Sequence, residues 1–234
     1  MNCSQIVPRL RERYFSISSS PRMHPNELHC TVAVVDCTTP YGRRRKGLCS
    51  SWLASLPDDG SASIPIWLDR GALKLPSDDH EALFVGPGTG VAPFRSMVHE
   101  RSARKGLNDH VKPTTLVFGC RSREGDYMYA DEWAAQEDKT GSLESPGGLV
   151  VAFSRDEERR RVNHALIDEA ERVWRTLRNG GCVYVSGRAG QMPKDVQDAL
   201  EAIACEEGGL DNAAAKAFLK RCENGGLLAF ETWS

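Results

Sequence analysis

A strand-like segment followed by a glycine-rich turn carries the strongest local sign of chemistry in this sequence. The segment VGPGTGVAPFR, at 85–95, runs from apolar residues through three glycines to a proline that suits the first turn of a helix. Gly86, Gly88 and Gly90 allow a tight turn whose backbone N–H groups can approach a pyrophosphate, which the positive end of the next helix also attracts. Val91 departs from the usual G-x-G-x-x-G/A pattern of dinucleotide sites. The segment predicts a nucleotide site, and the alternative is a turn that binds nothing.

A hydroxyl and several guanidinium groups follow another apolar run, LVVAF at 149–153. These residues are Ser154, Arg155, Arg159, Arg160 and Arg161. Ligands of open α/β sheets lie beyond the carboxyl ends of the strands, and arginine binds phosphate through two parallel hydrogen bonds. The group therefore favours the 2′-phosphate of NADPH over NADH. The alternative is a solvated helix start, which leaves these arginines at the positive end of the helix dipole without an anion.

One acidic residue instead favours NAD. Asp109 lies about twenty residues beyond Gly88, where a ribose-binding acid selects NAD. It precedes an apolar run instead of ending one, so the sequence still favours NADPH.

Two further segments are weak signals by themselves. RYFS, at 13–16, combines an arginine, two aromatics and a serine, which also suits a salt-bridged edge strand. GLCSS, at 47–51, places hydroxyls just after a glycine, as the N-cap region of a helix does. Their meaning depends on the elements around them and on the order in which they occur.

The elements that position these residues differ between the two parts of the chain. Residues 1–75 contain short β-branched and aromatic runs, RYFSISSS, LHCTVAVVDC and IPIWL, which predict strands. The later apolar runs alternate with helical stretches, which predicts a mostly parallel sheet covered on both faces. These runs lie at 82–86, 114–119, 149–153, 182–187 and 227–230. We place the boundary near Pro76, which gives domains at 1–75 and 76–234.

The overall composition excludes several kinds of partner. With 30 basic against 32 acidic side chains and a pI near 6.3, the chain has no electrostatic footprint for nucleic acid or an anionic membrane. Residues 1–15 carry charges where a signal peptide needs an apolar stretch, and no window approaches the roughly 18 apolar residues of a membrane span. The sequence therefore predicts a soluble protein.

The eight cysteines are scattered without a CxxC pair, and several lie in apolar runs. This pattern is typical of a reducing, cytoplasmic setting. His24, His29 and Cys30 lie close together in the sequence, but no second pair of ligands is near them, so we predict no metal site.

The order and spacing of these segments resemble the FAD- and NADPH-binding module of the diflavin reductase family, which is of the ferredoxin–NADP reductase type. RYFS resembles the family's R-x-Y-S flavin motif, and GLCSS its G-x-x-S/T segment. The remaining matches are VGPGTGVAPFR, FGCR at 118–121, AFSRD at 152–156, MPKDV at 192–196 and the terminal ETWS. GLCSSWLASL and ETW are more similar to the branch that serves cytosolic iron–sulfur assembly than to P450 reductase.

The resemblance implies a partial antiparallel FAD-binding β-barrel followed by an NADP-binding α/β domain with a parallel sheet. It implies an enzyme in which NADPH delivers a hydride to FAD, and electrons pass through FMN to an iron–sulfur protein acceptor in the cytoplasm. Family members carry an FMN domain and the first barrel strands ahead of the R-x-Y-S motif, and we expect both to be missing here. The alternatives are a reductase of the P450 or sulfite type, and a truncated, non-catalytic module of this fold.

For FAD, the resemblance implies contacts from Arg13, Tyr14, Phe15, Ser16, Gly47, Leu48, Cys49 and Ser50. In this scheme Arg13 pairs with the FAD phosphates, Phe15 lies against the isoalloxazine, and Ser16 hydrogen-bonds near N5. Phe15 replaces the usual tyrosine, which keeps the stacking and loses a hydroxyl.

For NADP, the implied contacts are Gly88, Thr89, Arg121, Ser154, Arg155, Arg159, Arg160, Arg161, Val162, Asn163 and Asp195. The segment 159–163 departs from the family's K-V-Y-V-Q run, because Arg159 and Arg161 stand in place of its lysine and tyrosine. This exchange keeps the charge and loses an aromatic contact.

The implied catalytic group comprises Ser16, Ser186, Glu231 and Trp233. Ser186 stands where P450 reductase has a cysteine beside the nicotinamide, and Arg188 stands where it has an aspartate. Trp233 is implied to cover the flavin face that the nicotinamide must reach, so it is also a cofactor contact.

Overall fold

Residues 10–107, 110–137 and 141–233 are described by a computed structural model of the protein. They form two units, one from 10–16 and 31–69 and the other from 17–30 and 70–233, with the gaps just given. Asp109, the candidate ribose-binding acid, lies outside the described residues, as does Ser234 of the ETWS motif.

Within 10–16 and 31–69, the first unit has two short antiparallel strands and one short helix. They are β1 Asp36–Thr38, β2 Arg44–Lys46 and α1 Leu48–Ala54. Asp36 pairs with Lys46 in the ladder, and its carboxylate accepts two hydrogen bonds from Arg44, at 2.9 and 2.6 Å. The antiparallel pairing confirms the fold class predicted for this part of the chain.

Two of the predicted strands are wrong. Among the described residues IPIWL, at 64–68, has no ladder partner, and RYFSISSS, at 13–20, forms a single bridge between Ile17 and Cys30. Of LHCTVAVVDC, at 28–37, only the last two residues enter a strand. β-Branched and aromatic residues form strands only where a neighbouring strand supplies hydrogen bonds and packing.

A five-stranded parallel sheet forms the basis of the second unit. Its strands are β3 Ala82–Pro87, β4 Thr114–Cys120, β5 Leu149–Phe153, β6 Cys182–Arg188 and β7 Leu228–Trp233. They lie in the order β5–β4–β3–β6–β7, and every neighbouring pair is parallel. All five predicted runs are strands, which confirms the predicted sheet, and β7 continues beyond its predicted run to Trp233.

Helices join the strands and cover both faces of this sheet. They are α2 Ala92–Lys105, α3 Arg123–Asp126, α4 Ala130–Gln136, α5 Val162–Asp168, α6 Ala170–Arg178, α7 Gln191–Glu206 and α8 Asn212–Asn224. Leu83 and Val85 belong to one buried cluster, whereas Phe84 belongs to the other, as the alternation of a strand requires. Phe84 also stacks on Phe94 of α2, with ring centroids 4.8 Å apart. Among the described residues, no helix is both long and apolar enough to cross a membrane.

The guanidinium of Arg101 is fully buried and anchors the chain where it enters β3 and β4. It donates to the carbonyl oxygens of Ser77, His80 and Lys112 at 3.1, 2.9 and 2.7 Å. It also donates to Thr114 Oγ1 at 2.9 Å. A buried charge needs such complete hydrogen bonding, so Arg101 fixes these segments against α2.

The segment 17–30 is held on α2 by polar contacts. Arg95 Nη1 donates to the carbonyl oxygen of Ser18 at 2.8 Å, and Ser20 Oγ donates to the Glu100 carboxylate at 2.7 Å. The segment therefore belongs with the parallel sheet, although it follows the RYFS motif directly in the chain. The domain limits given by the sequence remain a prediction.

Candidate nucleotide and flavin sites

The carboxyl ends of the parallel strands bring many of the predicted nucleotide residues to one edge of the sheet. Residues that end or directly follow the five strands are Pro87, Arg121, Ser154, Arg188 and Trp233. β3 lies at the centre, and the chain continues from it to β4 and β5 on one side and then to β6 and β7 on the other. A change of direction of this kind opens a crevice for a ligand between β3 and β6.

The glycine-rich turn after β3 has the geometry that such a crevice needs. Gly88 has a φ of +57°, a left-handed conformation that glycine adopts without strain. Gly90 lies so close to β6 that a β-carbon at this position would collide with the carbonyl oxygen of Ser186. A 3₁₀ turn at 88–91 leads into α2, whose N-cap residue, Val91, makes no side-chain hydrogen bond. The Ala92 N–H donates to the carbonyl oxygen of Thr89 and Pro93 has no N–H, so the 3₁₀ turn itself supplies the candidate N–H donors for an anion.

Ser186 presents a buried hydroxyl at the end of β6. The residue is fully buried, and its Oγ has no hydrogen-bond partner within the described part of the chain. An unpaired buried polar atom costs about 1–3 kcal/mol. Such an atom is expected to meet a ligand or a water molecule, which fits the predicted place of Ser186 beside the nicotinamide.

Arg121 and Arg155 follow two neighbouring strands and are linked through their backbones. The N–H of Arg155 donates to the carbonyl oxygen of Arg121 at 2.8 Å, and the N–H of Ser154 donates to that of Cys120 at 2.9 Å. Both arginines are exposed, whereas Ser154 and Thr89 are half-buried. Two guanidinium groups and a hydroxyl thus share this edge, as a phosphate site requires.

Two of the arginines between β5 and α5 lie beside carboxylates of the protein itself, so part of the positive charge there is already neutralised. Arg160 forms an ion pair with Asp168, and Arg161 Nη1 lies 3.9 Å from the Asp195 carboxylate. Arg159 is exposed and has a φ of +47°, an uncommon value for a residue other than glycine. Arg159 is therefore the most available of the three for a phosphate, and the binding role of the loop stays a prediction.

Val162 and Asn163 begin α5 and differ in exposure. Val162 is 5% exposed and packs in the core, next to Gly119, whereas Asn163 is half-buried. The side chain of Val162 therefore supports the helix, and its predicted contact with NADP remains untested.

Glu231 and Trp233, the predicted catalytic residues of β7, accept hydrogen bonds that fix this end of the sheet. The Glu231 carboxylate accepts hydrogen bonds from the backbone N–H groups of Ala72 and Leu73, at 3.2 and 3.4 Å. The carbonyl oxygen of Trp233 accepts one from Ala189 at 2.7 Å. The Trp233 residue is 37% exposed, so its ring has a surface open to a ligand.

In the first unit, the RYFS motif exposes aromatic surface. Tyr14 and Phe15 are 68% and 39% exposed, and Ser16 is half-buried. The exposed guanidinium of Arg13 donates to the carbonyl oxygens of the two preceding residues, at 2.8 and 3.1 Å. Uncovered aromatic rings beside a positive charge fit an isoalloxazine and its phosphates, so these residues suit FAD.

The GLCSS segment forms a tight turn at the start of α1. The N–H of Gly47 donates to the Val35 carbonyl oxygen at 2.7 Å, and the N–H of Val35 donates to Ser50 Oγ at 3.1 Å. A β-carbon at Gly47 would collide with Ser50 Oγ and with the Val35 side chain, so only glycine fits. Leu48 is exposed and Cys49 is half-buried. Ser50 thus stabilises the turn, and within the described residues its hydroxyl proton has no acceptor.

Comparison with known proteins identifies both kinds of domain. Residues 3–52 match the FAD binding domain family, and residues 84–198 match the oxidoreductase NAD-binding domain family. The chain is 44% identical to NADPH-dependent diflavin oxidoreductase 1 of Arabidopsis thaliana, a match that covers 98% of the chain and 37% of the relative. Over nearly its whole length, the chain is therefore similar to the FAD- and NADPH-binding part of the diflavin reductase family.

Other members of the diflavin reductase family give the same picture. Identity is 42% with NADPH-dependent diflavin oxidoreductase 1 of Bos taurus and 36% with NADPH–cytochrome P450 reductase of Homo sapiens, each over 98% of this chain. The matches cover 37% and 34% of these relatives, so the chain spans little more than a third of their length. The family resemblance, the fold class and the expectation of FAD- and NADP-binding domains are confirmed.

Sequence reasoning missed two side chains at the nucleotide edge of the parallel sheet. Asp126 binds the backbone and side chain of Arg121. Arg123 lies with its guanidinium carbon 4.8 Å from the centroid of the Phe153 ring. Neither residue forms a motif with its neighbours, so the FGCR segment was the only signal near them.

A cluster of possible metal ligands lies in the segment 17–30. Ligand atoms of His24, Glu27 and His29 lie within 4.8 Å of one another, although the sequence predicts no metal site. His29 Nε2 lies 2.7 Å from Glu27 Oε2, and its Nδ1 lies 3.3 Å from Arg95 Nη1. A proton on Nε2 satisfies both contacts, since Nδ1 then accepts from Arg95. The cluster is thus paired internally, and the charge of Arg95 opposes a cation there.

Proposed function

We propose that this chain is the FAD- and NADPH-binding part of an NADPH-dependent diflavin oxidoreductase. The observation that carries the proposal is the edge of the parallel sheet, where the glycine turn at 88–91, the buried Ser186 hydroxyl and two exposed arginines come together. Bound FAD would supply the acceptor for a hydride from NADPH and, through FMN, a path for electrons to a protein acceptor.

The residues of the chain bind and orient the nucleotide. The N–H groups of the 3₁₀ turn at 88–91 would donate to the pyrophosphate, and Gly90 lets this turn pack against β6. Arg121 and Arg155 neutralise phosphate charge through their exposed guanidinium groups. Ser186 would lie beside the nicotinamide, where its hydroxyl would help to orient the ring.

We also propose that the acceptor is an iron–sulfur protein and that the enzyme acts in the cytoplasm. The support for the acceptor is the likeness of GLCSSWLASL and ETW to the iron–sulfur-assembly branch of the family. The support for the compartment is that the seven cysteines that the structure describes are all free thiols.

Experiment can test two alternative functions. A reductase of the P450 or sulfite type uses the same module, and the 36% identity with P450 reductase favours that group less than the 44% identity with the Arabidopsis diflavin oxidoreductase. A non-catalytic module of this fold would bind a nucleotide and leave flavin unreduced.

Anaerobic mixing of the chain with excess FAD and NADPH tests the proposal. We expect the flavin absorption band to bleach with NADPH and to change far less with NADH. A chain that binds NADPH and leaves FAD oxidised supports the non-catalytic alternative. A purified chain with no affinity for NADPH contradicts the proposal altogether.

A further inference from the structure

The carboxylate of Asp126 holds the turn that carries Arg121. Its Oδ1 accepts hydrogen bonds from the backbone N–H groups of Arg121 and Ser122, at 2.7 and 3.0 Å. Its Oδ2 accepts one from Arg121 Nε at 2.8 Å. A single carboxylate therefore fixes both the backbone and the side chain of Arg121.

This anchor occupies only one edge of the Arg121 guanidinium. Within the described part of the chain, neither Nη group of Arg121 has a hydrogen-bond partner, and the side chain is 60% exposed. A guanidinium offers five N–H donors in a rigid fork. With Nε held by Asp126, the Nη donors are left for an external anion.

The order of the strands decides which phosphate lies nearest to Arg121. β4 is the direct neighbour of β3, and Gly119, two residues before Arg121, pairs with Pro87 at the start of the glycine turn. β5, which precedes Arg155, lies one strand farther from that turn. Arg121 therefore suits the pyrophosphate, which NADP and NAD share, whereas Arg155 suits the 2′-phosphate.

A carboxylate this close to a phosphate site carries an electrostatic cost. Partial burial raises the pKa of the Asp126 carboxyl, but hydrogen bonds from Arg121 and Ser122 outweigh it and hold that pKa below its usual range. The group is thus ionised at neutral pH, and by itself it repels a phosphate. The carboxylate nevertheless favours binding, because an arginine that it already holds in place loses less side-chain entropy when the nucleotide binds.

We propose that Asp126 is a positioning residue for the nucleotide pyrophosphate, acting entirely through Arg121. The inference rests on the proposed function, in which Arg121 contacts NADPH. Asp126 itself makes no contact with the nucleotide, so its effect disappears when Arg121 is absent.

Calorimetric titration of the 234-residue chain with NADP⁺ and NAD⁺ tests this in a double-mutant cycle. Asp126→Ala and Arg121→Ala should each weaken both nucleotides about tenfold, which corresponds to the loss of one ordered, charge-assisted contact. The double variant should bind no more weakly than Arg121→Ala alone. Additive losses, or an Asp126→Ala variant with unchanged affinity, would overturn the inference.

Two further variants separate positioning from folding. Asp126→Asn keeps an oxygen for the two backbone N–H groups but presents an amide to Arg121 Nε, so it should retain the melting temperature and still bind both nucleotides more weakly. Glu223→Ala removes an exposed ion pair with Lys220 and should leave affinity unchanged. If Arg121→Ala weakens binding and neither Asp126 variant does, the inference fails while the proposed function stands. A wild-type chain that does not bind NADP⁺ contradicts both.

Discussion

Gly90 packs directly against the carbonyl oxygen of Ser186, so that no β-carbon can be accommodated between the glycine turn and the end of β6. Ser186 belongs to β6, whereas Gly90 lies in the turn that follows the adjacent strand β3, about a hundred residues earlier in the chain. This contact packs the turn that leads into α2 against the backbone of β6.

Substituting Gly90 with alanine should therefore damage both the fold and the nucleotide site. The added methyl group must displace β6 or the turn, which costs about 1–3 kcal/mol of unfolding free energy. Urea denaturation and titration with NADP⁺ measure the two effects. Gly106→Ala is the matched control, since a β-carbon there meets its nearest atom at 3.6 Å. An alanine at position 90 with wild-type stability and affinity contradicts the close contact.

Removing the buried charge of Arg101 should destabilise the second unit. Arg101→Met leaves the carbonyl oxygens of His80 and Lys112 without their donor, and each unpaired buried group costs about 1–3 kcal/mol. Arg104→Met, on the same helix, removes only partly exposed ion pairs and should cost less than about 1 kcal/mol. Urea unfolding of both variants checks the difference. Equal stability of the two would show that the Arg101 hydrogen bonds contribute little.

Acid should weaken the fold through His99. Burial, and then the nearby charge of Arg95, lowers the pKa of His99 from 6.5 to about 4. The unfolded chain binds this proton near pH 6.5, so the stability that His99 contributes is complete above that pH and is lost as the pH falls towards 4. Between pH 7 and 5 the loss amounts to about 2 kcal/mol. His99→Gln should show a smaller decline over this range than the wild type, and parallel pH profiles would contradict the assignment.

The parallel sheet could be predicted because its strands are continuous apolar runs that are buried on both faces. The end of β7 could not, since Glu231 and Thr232 are polar and join the strand only through backbone pairing with Ser186 and Gly187. The prediction of a strand at 64–68 was wrong for the opposite reason. Its side chains favour a strand, but among the described residues no neighbour pairs with it.

Candidate site residues could be predicted from the sequence where the residue type itself suggests a role in binding a phosphate. The glycines of the turn and the exposed Arg155 fall in this group. Asp126 does not, because its role depends on the fold of a turn that brings its carboxylate to two backbone N–H groups. The internal pairing of Arg160 with Asp168 was equally hidden, since it is a property of the folded loop and helix.

Trp233 should control the choice between NADPH and NADH. The family resemblance assigns its ring to the flavin face, so NADPH must displace it, and contacts to the 2′-phosphate supply the binding energy for this step. Trp233→Ala in the enzyme that includes the FMN domain should raise kcat/KM for NADH relative to NADPH, with FAD content unchanged. Thr232→Ala, its exposed neighbour on β7, is the control. If the ratio of kcat/KM for NADH and NADPH is unchanged, Trp233 only closes the edge of the sheet.

The carboxyl edge of the sheet should bind NADPH and recognise its 2′-phosphate through Arg155 and Arg159. Replacing both with alanine should remove two charge-assisted contacts, each worth roughly 1.5–3 kcal/mol. Arg178→Ala, an exposed arginine at the end of α6, controls for the general loss of positive charge.

The most direct measurement is the ratio of the dissociation constants for NADP⁺ and NAD⁺, determined by calorimetry on the wild-type chain and on the variant that lacks both arginines. We expect the wild type to bind NADP⁺ far more tightly and the variant to lose most of that preference while its affinity for NAD⁺ stays the same. An equal loss of affinity for both nucleotides, or a wild type without preference, would contradict the account.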